Sequence, residues 1–289
     1  MSPKHSPKNR SAQPHEPEPG EPGDVVDSLN HPLAASIREL LHRSGRVQTG
    51  RILIDDEENI IEAIEAGVEL VSLFHSGEGE IPPRLQERLP SQVLVREVAR
   101  RTGKKLFGAE KSSRLFAIAR APEPRTLASL VETPRDIVVL DDVGIMGNIG
   151  AITRTSLALY TGGLVLLDFD PIDVYDRRLI RASRGYVFSL PLVTASTADF
   201  LAFCRERSIP LVVIAADGPK TMEDLSAHPE RLAIAFGSEK QGCSPELTAA
   251  ADLQVGIPMN PRVESLNVSA TAGIVLHSRL GFNRADGRG

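Results

Sequence analysis

Apolar residues along this chain follow two alternating periods. From Pro32 they recur at helical spacing, with Leu33, Ile37, Leu40 and Leu41 on one face, and Arg51-Ile52-Leu53-Ile54 then reads as a short strand. Ile60, Ile61 and Ile64 mark the next helix, which Gly67 ends, and Val68 to Phe74, Val93 to Val95 and Phe116 to Ala119 are strand-like runs. These elements predict a small α/β sandwich. Ala121-Pro122-Glu123-Pro124-Arg125 breaks both periods and is the boundary candidate, with a connection extending to Pro134. A second series then has strand-like runs at 137–140, 164–167, 211–215, 232–236 and 253–257, separated mostly by helix-length segments. That is the pattern of a parallel sheet covered on both faces. Asn267 to Leu280 is predicted as the closing helix. The expected organisation is α/β throughout, with a tail over 1–23, a first domain over 24–122, a linker over 123–135 and a second domain over 136–289.

Composition agrees with two domains, since 289 residues exceed the usual single core and 41% of them are hydrophobic. Met1 to Gly23 holds six prolines and almost nothing apolar, so burial there cannot offset the entropy of ordering it, and a disordered tail is expected. The two cysteines, Cys204 and Cys243, lie far apart, and no cysteine–histidine cluster has zinc-ligand spacing. No metal and no disulfide framework are expected, which fits a reducing cytoplasm. The chain shows neither a signal-peptide core nor a membrane-spanning apolar run, so no membrane partner is expected. A net charge of −5 argues against a protein that coats nucleic acid indiscriminately. Local basic patches exist nonetheless. Arg96, Arg100, Arg101, Lys104, Lys105, Lys111, Arg114 and Arg120 face only Glu97 and Glu110 in their stretch, and Arg177, Arg178, Arg181 and Arg184 follow helical spacing.

Candidate chemistry gathers in three blocks, each placed where a strand-like run stops, which is where open α/β sheets bind ligands. The first is Gly147-Asn148-Ile149-Gly150-Ala151-Ile152-Thr153-Arg154-Thr155. The second is Phe236-Gly237-Ser238-Glu239-Lys240-Gln241-Gly242, and the third runs from Ile257-Pro258-Met259 to Glu264-Ser265-Leu266-Asn267-Val268-Ser269. Gly144, Gly147 and Gly150 after a strand invite a dinucleotide-binding reading, but their Gly-x-x-Gly-x-x-Gly spacing lacks the paired turn and phosphate-approach glycines. Asp168 then reads as a strand-end residue contacting its neighbours. The second block lacks the glycine-lysine-hydroxyl ending of a phosphate loop, so ATP binding is not predicted. Asn148 and Arg154, six residues apart, look toward one crevice if a loop precedes the helix. Gly237 admits close ligand approach or is a plain turn glycine.

In this order and wording the blocks resemble the knotted RNA ribose methyltransferases of the SPOUT class. The whole chain from Asn30 to Leu280 is similar to the thiostrepton and nosiheptide resistance methyltransferases, most densely after Asp136 and again in Arg181-Ala182-Ser183-Arg184-Gly185-Tyr186-Val187-Phe188-Ser189-Leu190-Pro191. The resemblance implies a C-terminal trefoil knot, S-adenosylmethionine as methyl donor, a homodimer, and methylation of one adenosine 2'-oxygen in 23S ribosomal RNA. It assigns catalysis to Arg154, with Asn148 orienting it or the substrate, and polar active-site contributions to Ser265 and Asn267. Glu239 either neutralises Arg154 or caps the helix near Pro245, and the resemblance favours the first. Backbone groups of Ile257, Met259 and Leu266 would read the adenine, with Gly237, Ser238 and Ile214 on the cofactor wall and Arg184 close to the pocket, contributed across the dimer.

A guanidinium that stays protonated is a poor proton acceptor, so Arg154 is expected to act by electrostatics and positioning. The resemblance also implies a smaller, ribosomal-protein-like first domain that grips RNA, with Arg46, Phe107, Lys111 and Arg114 as contact candidates. Phe107 either stacks on an unpaired base or buries itself in the first domain. Three other readings remain: a housekeeping ribosomal or transfer RNA ribose methyltransferase, a noncatalytic RNA-binding protein, and a nicotinamide-dependent oxidoreductase.

Overall fold

The computed structural model describes residues 25–77, 80–107, 113–170 and 174–285. The expected tail over 1–23 and the candidate Lys111 lie outside the described residues.

The amino-terminal part runs α1 (Pro32–Leu40), α2 (Arg43–Thr49), β1 (Arg51–Asp55), α3 (Glu57–Glu65), β2 (Leu70–Ser76), α4 (Pro83–Gln86), β3 (Leu94–Val98), α5 (Arg100–Leu106) and β4 (Leu115–Arg120). Its sheet has the order β1-β4-β2-β3, antiparallel except for the β2–β3 pair. Strand periodicity divides the side chains cleanly. Leu53, Phe116 and Ile118 point to a core shared with Ala34, Ile37 and Leu40 of α1 and Leu106 of α5. Ile52, Ile54, Ala117 and Ala119 point the other way, onto Ile60 and Ile61 of α3. That second core is continuous with the interior of the carboxy-terminal part, reaching Ile149, Leu179 and Ile180.

After a 3-10 turn at Leu127–Glu132, the carboxy-terminal part runs β5 (Ile137–Leu140), α6 (Met146–Ala158), β6 (Gly163–Leu167), α7 (Arg177–Ala182), β7 (Leu192–Ala195) and α8 (Thr197–Arg207). It continues through β8 (Leu211–Ile214), α9 (Met222–Ser226), β9 (Ala233–Phe236), α10 (Pro245–Ala249), β10 (Leu253–Val255), α11 (Val268–Ser278) and α12 (Leu280–Ala285). The sheet is wholly parallel in the order β10-β8-β9-β5-β6-β7. It has one strand more than the five expected, because β7 follows directly on Pro191 and Thr194 cuts its apolar run to two residues. The closing helix is also shorter than expected, since the chain breaks at Arg279 into α11 and α12.

Arg279 explains that break. Its guanidinium is fully buried, pairs with Asp136 at 2.9 Å, and donates to the carbonyls of Leu225, His228 and Glu230. Asp136 in turn accepts from the Leu232 amide, and the Asn283 carboxamide accepts from the Asp136 amide. A charge buried at this depth is tolerated because the guanidinium has both a counter-ion and carbonyl acceptors around it. The result fastens the carboxy-terminal helices to the start of β5 and to the segment entering β9.

A second set of ion pairs joins the two parts. Arg177 on α7 is buried against Asp55 at the end of β1, Arg181 reaches Asp55 at 3.6 Å, and Arg184 lies 3.7 Å from Glu58. The four-arginine cluster therefore turns its Arg177, Arg181 and Arg184 toward the acidic edge of β1 and α3. It corrects the reading of that cluster as a basic surface. Burial outweighs the arginines at Asp55 and raises its carboxyl pKa to about 6.

Candidate active site

The three blocks follow the carboxyl ends of β5, β9 and β10 on the same edge of the sheet. Beside them lies a cavity of about 390 Å³, lined by 213–217 after β8, by 236–243 after β9, and by Ile257, Met259 and 264–266 before α11. Ile214, Gly237, Ser238, Ile257, Met259 and Leu266 all border it, as do Glu239 and Ser265. The lining carries three carboxylates, Asp217, Glu239 and Glu264, against Lys240 alone. Such a wall attracts a cation and repels a pyrophosphate. Its apolar members, Ile214, Ile257, Met259 and Leu266, suit a purine. The residues present thus fit a sulfonium nucleoside and do not fit a dinucleotide. Asp168 lies elsewhere, accepting from the Thr197 hydroxyl at 2.8 Å, as a strand-end residue does.

Hydrogen bonds tie the blocks to one another. Asn148 on α6 donates to Glu239 Oε1 at 3.2 Å, Asn267 donates to the same oxygen at 2.9 Å, and Asn267 also donates to Asn148 Oδ1 at 3.1 Å. The Val268 amide approaches Glu239 Oε1 at 3.4 Å. Asn267 is held from its other end as the cap of α11, its Oδ1 accepting from the Ser269 amide at 3.0 Å. Asp141, at the end of β5, accepts from the Ser244 amide at 2.6 Å and so anchors the loop that carries Glu239. One residue from each block thus meets its counterparts in a closed triangle.

Arg154 stands apart from that triangle. Both Asn148 and Arg154 lie within α6, where six residues turn the helix by about 240°, so within one chain they do not share a crevice as expected. Arg154 is exposed and lines neither the large cavity nor its neighbour. Within one chain Glu239 likewise does not pair with Arg154, and the cap near Pro245 is Ser244, not Glu239.

Three further expectations are corrected, those on Gly237, Phe107 and Arg46. Gly237 is glycine because a side chain would strike the backbone of Gly242 and Cys243, at 1.9 and 2.1 Å, in the tight turn held by paired bonds between Ser238 and Gly242. Its space is filled by the chain itself, not kept for a ligand. Arg184 does not border the cavity of its own chain. Phe107 is buried, edge-on to Phe116 and beneath the Arg177 guanidinium at 4.3 Å, so it takes the second of its two readings and offers no stacking face. Arg46 is buried at 2% exposure and pairs with Asp176 at 3.2 Å, which removes it from the RNA contacts. Arg114 is exposed.

Sequence reading passed over Asp217, Glu264 and Gln241 as members of the cavity wall, although Glu264 and Gln241 stand inside the quoted blocks and Asp217 follows a recognised strand end. Cys243 also lines the cavity, where burial pushes its thiol up to about 12. Among the described residues no group of three or more histidine, cysteine, aspartate or glutamate side chains could hold a metal ion. No described helix is long and apolar enough to cross a membrane.

A parallel sheet with a purine-fitting cavity at its carboxyl edge, closed by an Asn–Glu–Asn triangle, defines a class that sequence comparison then specifies. The chain belongs to the SpoU rRNA Methylase family, whose profile matches residues 136–277. Residues 23–133 match a second family, described as the thiostrepton-resistance methylase N terminus. The chain is 39% identical to the 23S rRNA (adenosine(1067)-2'-O)-methyltransferase of Streptomyces azureus, across 91% of this chain and 99% of that protein. It is 41% identical to the enzyme of the same name from Streptomyces laurentii, across 92% and 98% of the two. Among solved structures it is similar to an RNA 2'-O ribose methyltransferase, with a TM-score of 0.77, 30% identity, and coverage of 89% of this chain and 98% of that one.

Proposed function

We propose that this protein transfers a methyl group from S-adenosylmethionine to the ribose 2'-oxygen of one adenosine in the GTPase-associated region of 23S ribosomal RNA, and thereby protects its host from thiopeptide antibiotics. The observation that carries this reading is the Asn148–Glu239–Asn267 triangle at the edge of a cavity whose wall is negative and apolar. When bound there, S-adenosylmethionine supplies an electrophilic methyl on a sulfonium. Asp217, Glu239 and Glu264 would favour that positive charge, Ile214, Ile257, Met259 and Leu266 would hold the adenine, and Gly237 and Ser238 form the turn beside it. Transfer of that methyl to the ribose oxygen would leave neutral S-adenosylhomocysteine and release the hydroxyl proton to solvent. Asn148, held by Glu239 and Asn267, and Ser265 orient the sugar. Arg154 stabilises the negative charge growing on the oxygen or the adjacent phosphate.

Because Arg154 does not face the triangle of its own chain, the reading includes a homodimer in which each subunit completes the other's site. The outward face of α6 and α11 supports it: Thr155, Ala158, Leu159, Ala270, Gly273 and Ile274 form an apolar depression next to Arg154, with Ile274 exposed. Arg184 belongs to the same cross-subunit proposal. The reading also includes the deep C-terminal trefoil knot that the family resemblance implies. The first domain, 24–122, joined by a linker over 123–135 to the methyltransferase domain 136–289, grips the RNA. Arg114 and the exposed face of α5, with Arg100, Arg101, Lys104 and Lys105, support that role, and Lys111 remains a contact candidate. A 2'-methyl would remove a hydrogen-bond donor and crowd the drug's cleft on the ribosome. Expressing the chain in a thiostrepton-sensitive bacterium tests the proposal: resistance that the Arg154→Ala variant fails to confer supports it, and equal sensitivity with and without the wild-type protein contradicts it.

A further inference from the structure

A second cavity, of about 240 Å³, opens beside the first and shares with it the wall formed by Ser238, Glu239, Lys240, Gln241 and Val268. Its opposite wall includes Gly144, Ile145 and Asn148, at the point where the chain enters α6. The fold itself does not account for these residues. A Cβ added at Gly144 would meet nothing within 4 Å, and one at Gly147 would meet only Ile145 Cγ2 at 4.0 Å. Neither glycine has a positive φ. Gly147 moreover stands in the first turn of α6, where glycine weakens a helix relative to alanine. The contrast with Gly150 is direct, since a Cβ there would strike Ala182 at 2.4 Å and glycine is demanded by packing. Between the two unexplained glycines, Ile145 is 60% exposed and contributes no burial.

Bare backbone and an apolar side chain facing a cavity suit a flat ligand that comes close. We propose that Gly144 and Ile145, which border this cavity, are the floor of the acceptor subsite, with the nearby Gly147 leaving room where the chain enters α6. An adenosine extruded from single-stranded RNA lies with its base across Ile145 and its ribose toward Asn148. The absence of side chains at 144 and 147 allows the sugar to approach closely, while the phosphates stay outside, because Asp142 and Glu239 line this cavity against Lys240 alone. The inference rests on the methyl-transfer reading and adds to it the residues that select the acceptor nucleotide.

The test compares wild type with Gly144→Ala, Gly147→Ala and Ile145→Ala, in labelled methyl transfer to a protein-free 23S RNA fragment, S-adenosylmethionine calorimetry and thermal unfolding. The expected result is a loss of at least about tenfold in kcat/KM for RNA, mostly in KM, with donor affinity unchanged and the Tm of Gly147→Ala equal to or above wild type. Retained kcat/KM in all three variants would overturn the subsite, as would a parallel loss of donor affinity. A lower Tm for Gly147→Ala would show that the fold needs that glycine and would overturn the argument from it. If wild type transfers methyl to no RNA, the functional reading fails and this inference fails with it; transfer by wild type with unaffected variants removes the subsite alone.

Discussion

Arg154 makes no hydrogen bond or ion pair among the described residues of its own chain, so its removal disturbs little besides the chemistry. Arg154→Ala is expected to lower kcat by about 100-fold or more while S-adenosylmethionine affinity by calorimetry stays unchanged. Full retention of transfer would remove Arg154 from catalysis. Glu239 invites a different test, because glutamine keeps an oxygen for Asn148 and Asn267 and removes the charge. Glu239→Gln is expected to weaken binding of cationic S-adenosylmethionine by about tenfold and to leave uncharged S-adenosylhomocysteine nearly unaffected, an electrostatic signature that loss of shape would not produce. The individual members of this site were legible in sequence because each stands at a strand end. Their partnership was not: Asn148 and Glu239 are 91 positions apart, and only the folded sheet brings their side chains together. Arg46 was misjudged for the same reason, since its counter-ion Asp176 lies 130 positions away and a charge without a local partner reads as solvated.

Helices and strands show where periodicity suffices and where it fails. Continuous apolar runs made β1 and β4 readable, and their two faces enter separate cores as strand geometry requires. β7 was not legible, because Thr194 ends its apolar run after Leu192 and Val193. At the α11–α12 junction a buried ion pair overrides propensity. Arg279→Met leaves the Asp136 carboxylate buried and unpaired, and is expected to cost about 3–5 kcal/mol in denaturant unfolding, with an added Asp136→Asn recovering much of the loss. Equal stability of the single variant and wild type would count against the clamp. At the junction between the two parts, the folded pKa of Asp55, about 6, exceeds its ordinary value of 3.8. Between those values the folded chain keeps a proton that the unfolded chain has lost, so this group's contribution to stability falls as pH rises through that window and is level above it. Comparing the Tm of wild type and Asp55→Asn at about pH 4 and pH 7 isolates the effect. It should vanish in the variant, and an identical pH dependence in both proteins would refute it.

At the scale of the molecule, the continuous core and the Arg177–Asp55 and Arg46–Asp176 pairs hold the amino-terminal sheet against the domain that carries the cavity. On the proposed function, a module docked this way would present RNA to the site in a fixed register, and the exposed cations of α5 would give it an electrostatic grip that weakens with salt. The domain order and the doubly covered sheet were visible in the alternation of elements, whereas the docking was not, because the arginines that make it look like a nucleic-acid surface in one dimension. Catalysis, RNA grip and antibiotic resistance all depend on a single event, methyl transfer to one ribose. The most direct measurement is therefore transfer of labelled methyl from S-adenosylmethionine to protein-free 23S RNA, with the modified nucleotide mapped by ribose-methylation-sensitive primer extension. A single methylated adenosine in the GTPase-associated region is expected, and methylation at another position, or no transfer despite tight donor binding, would contradict the proposed function.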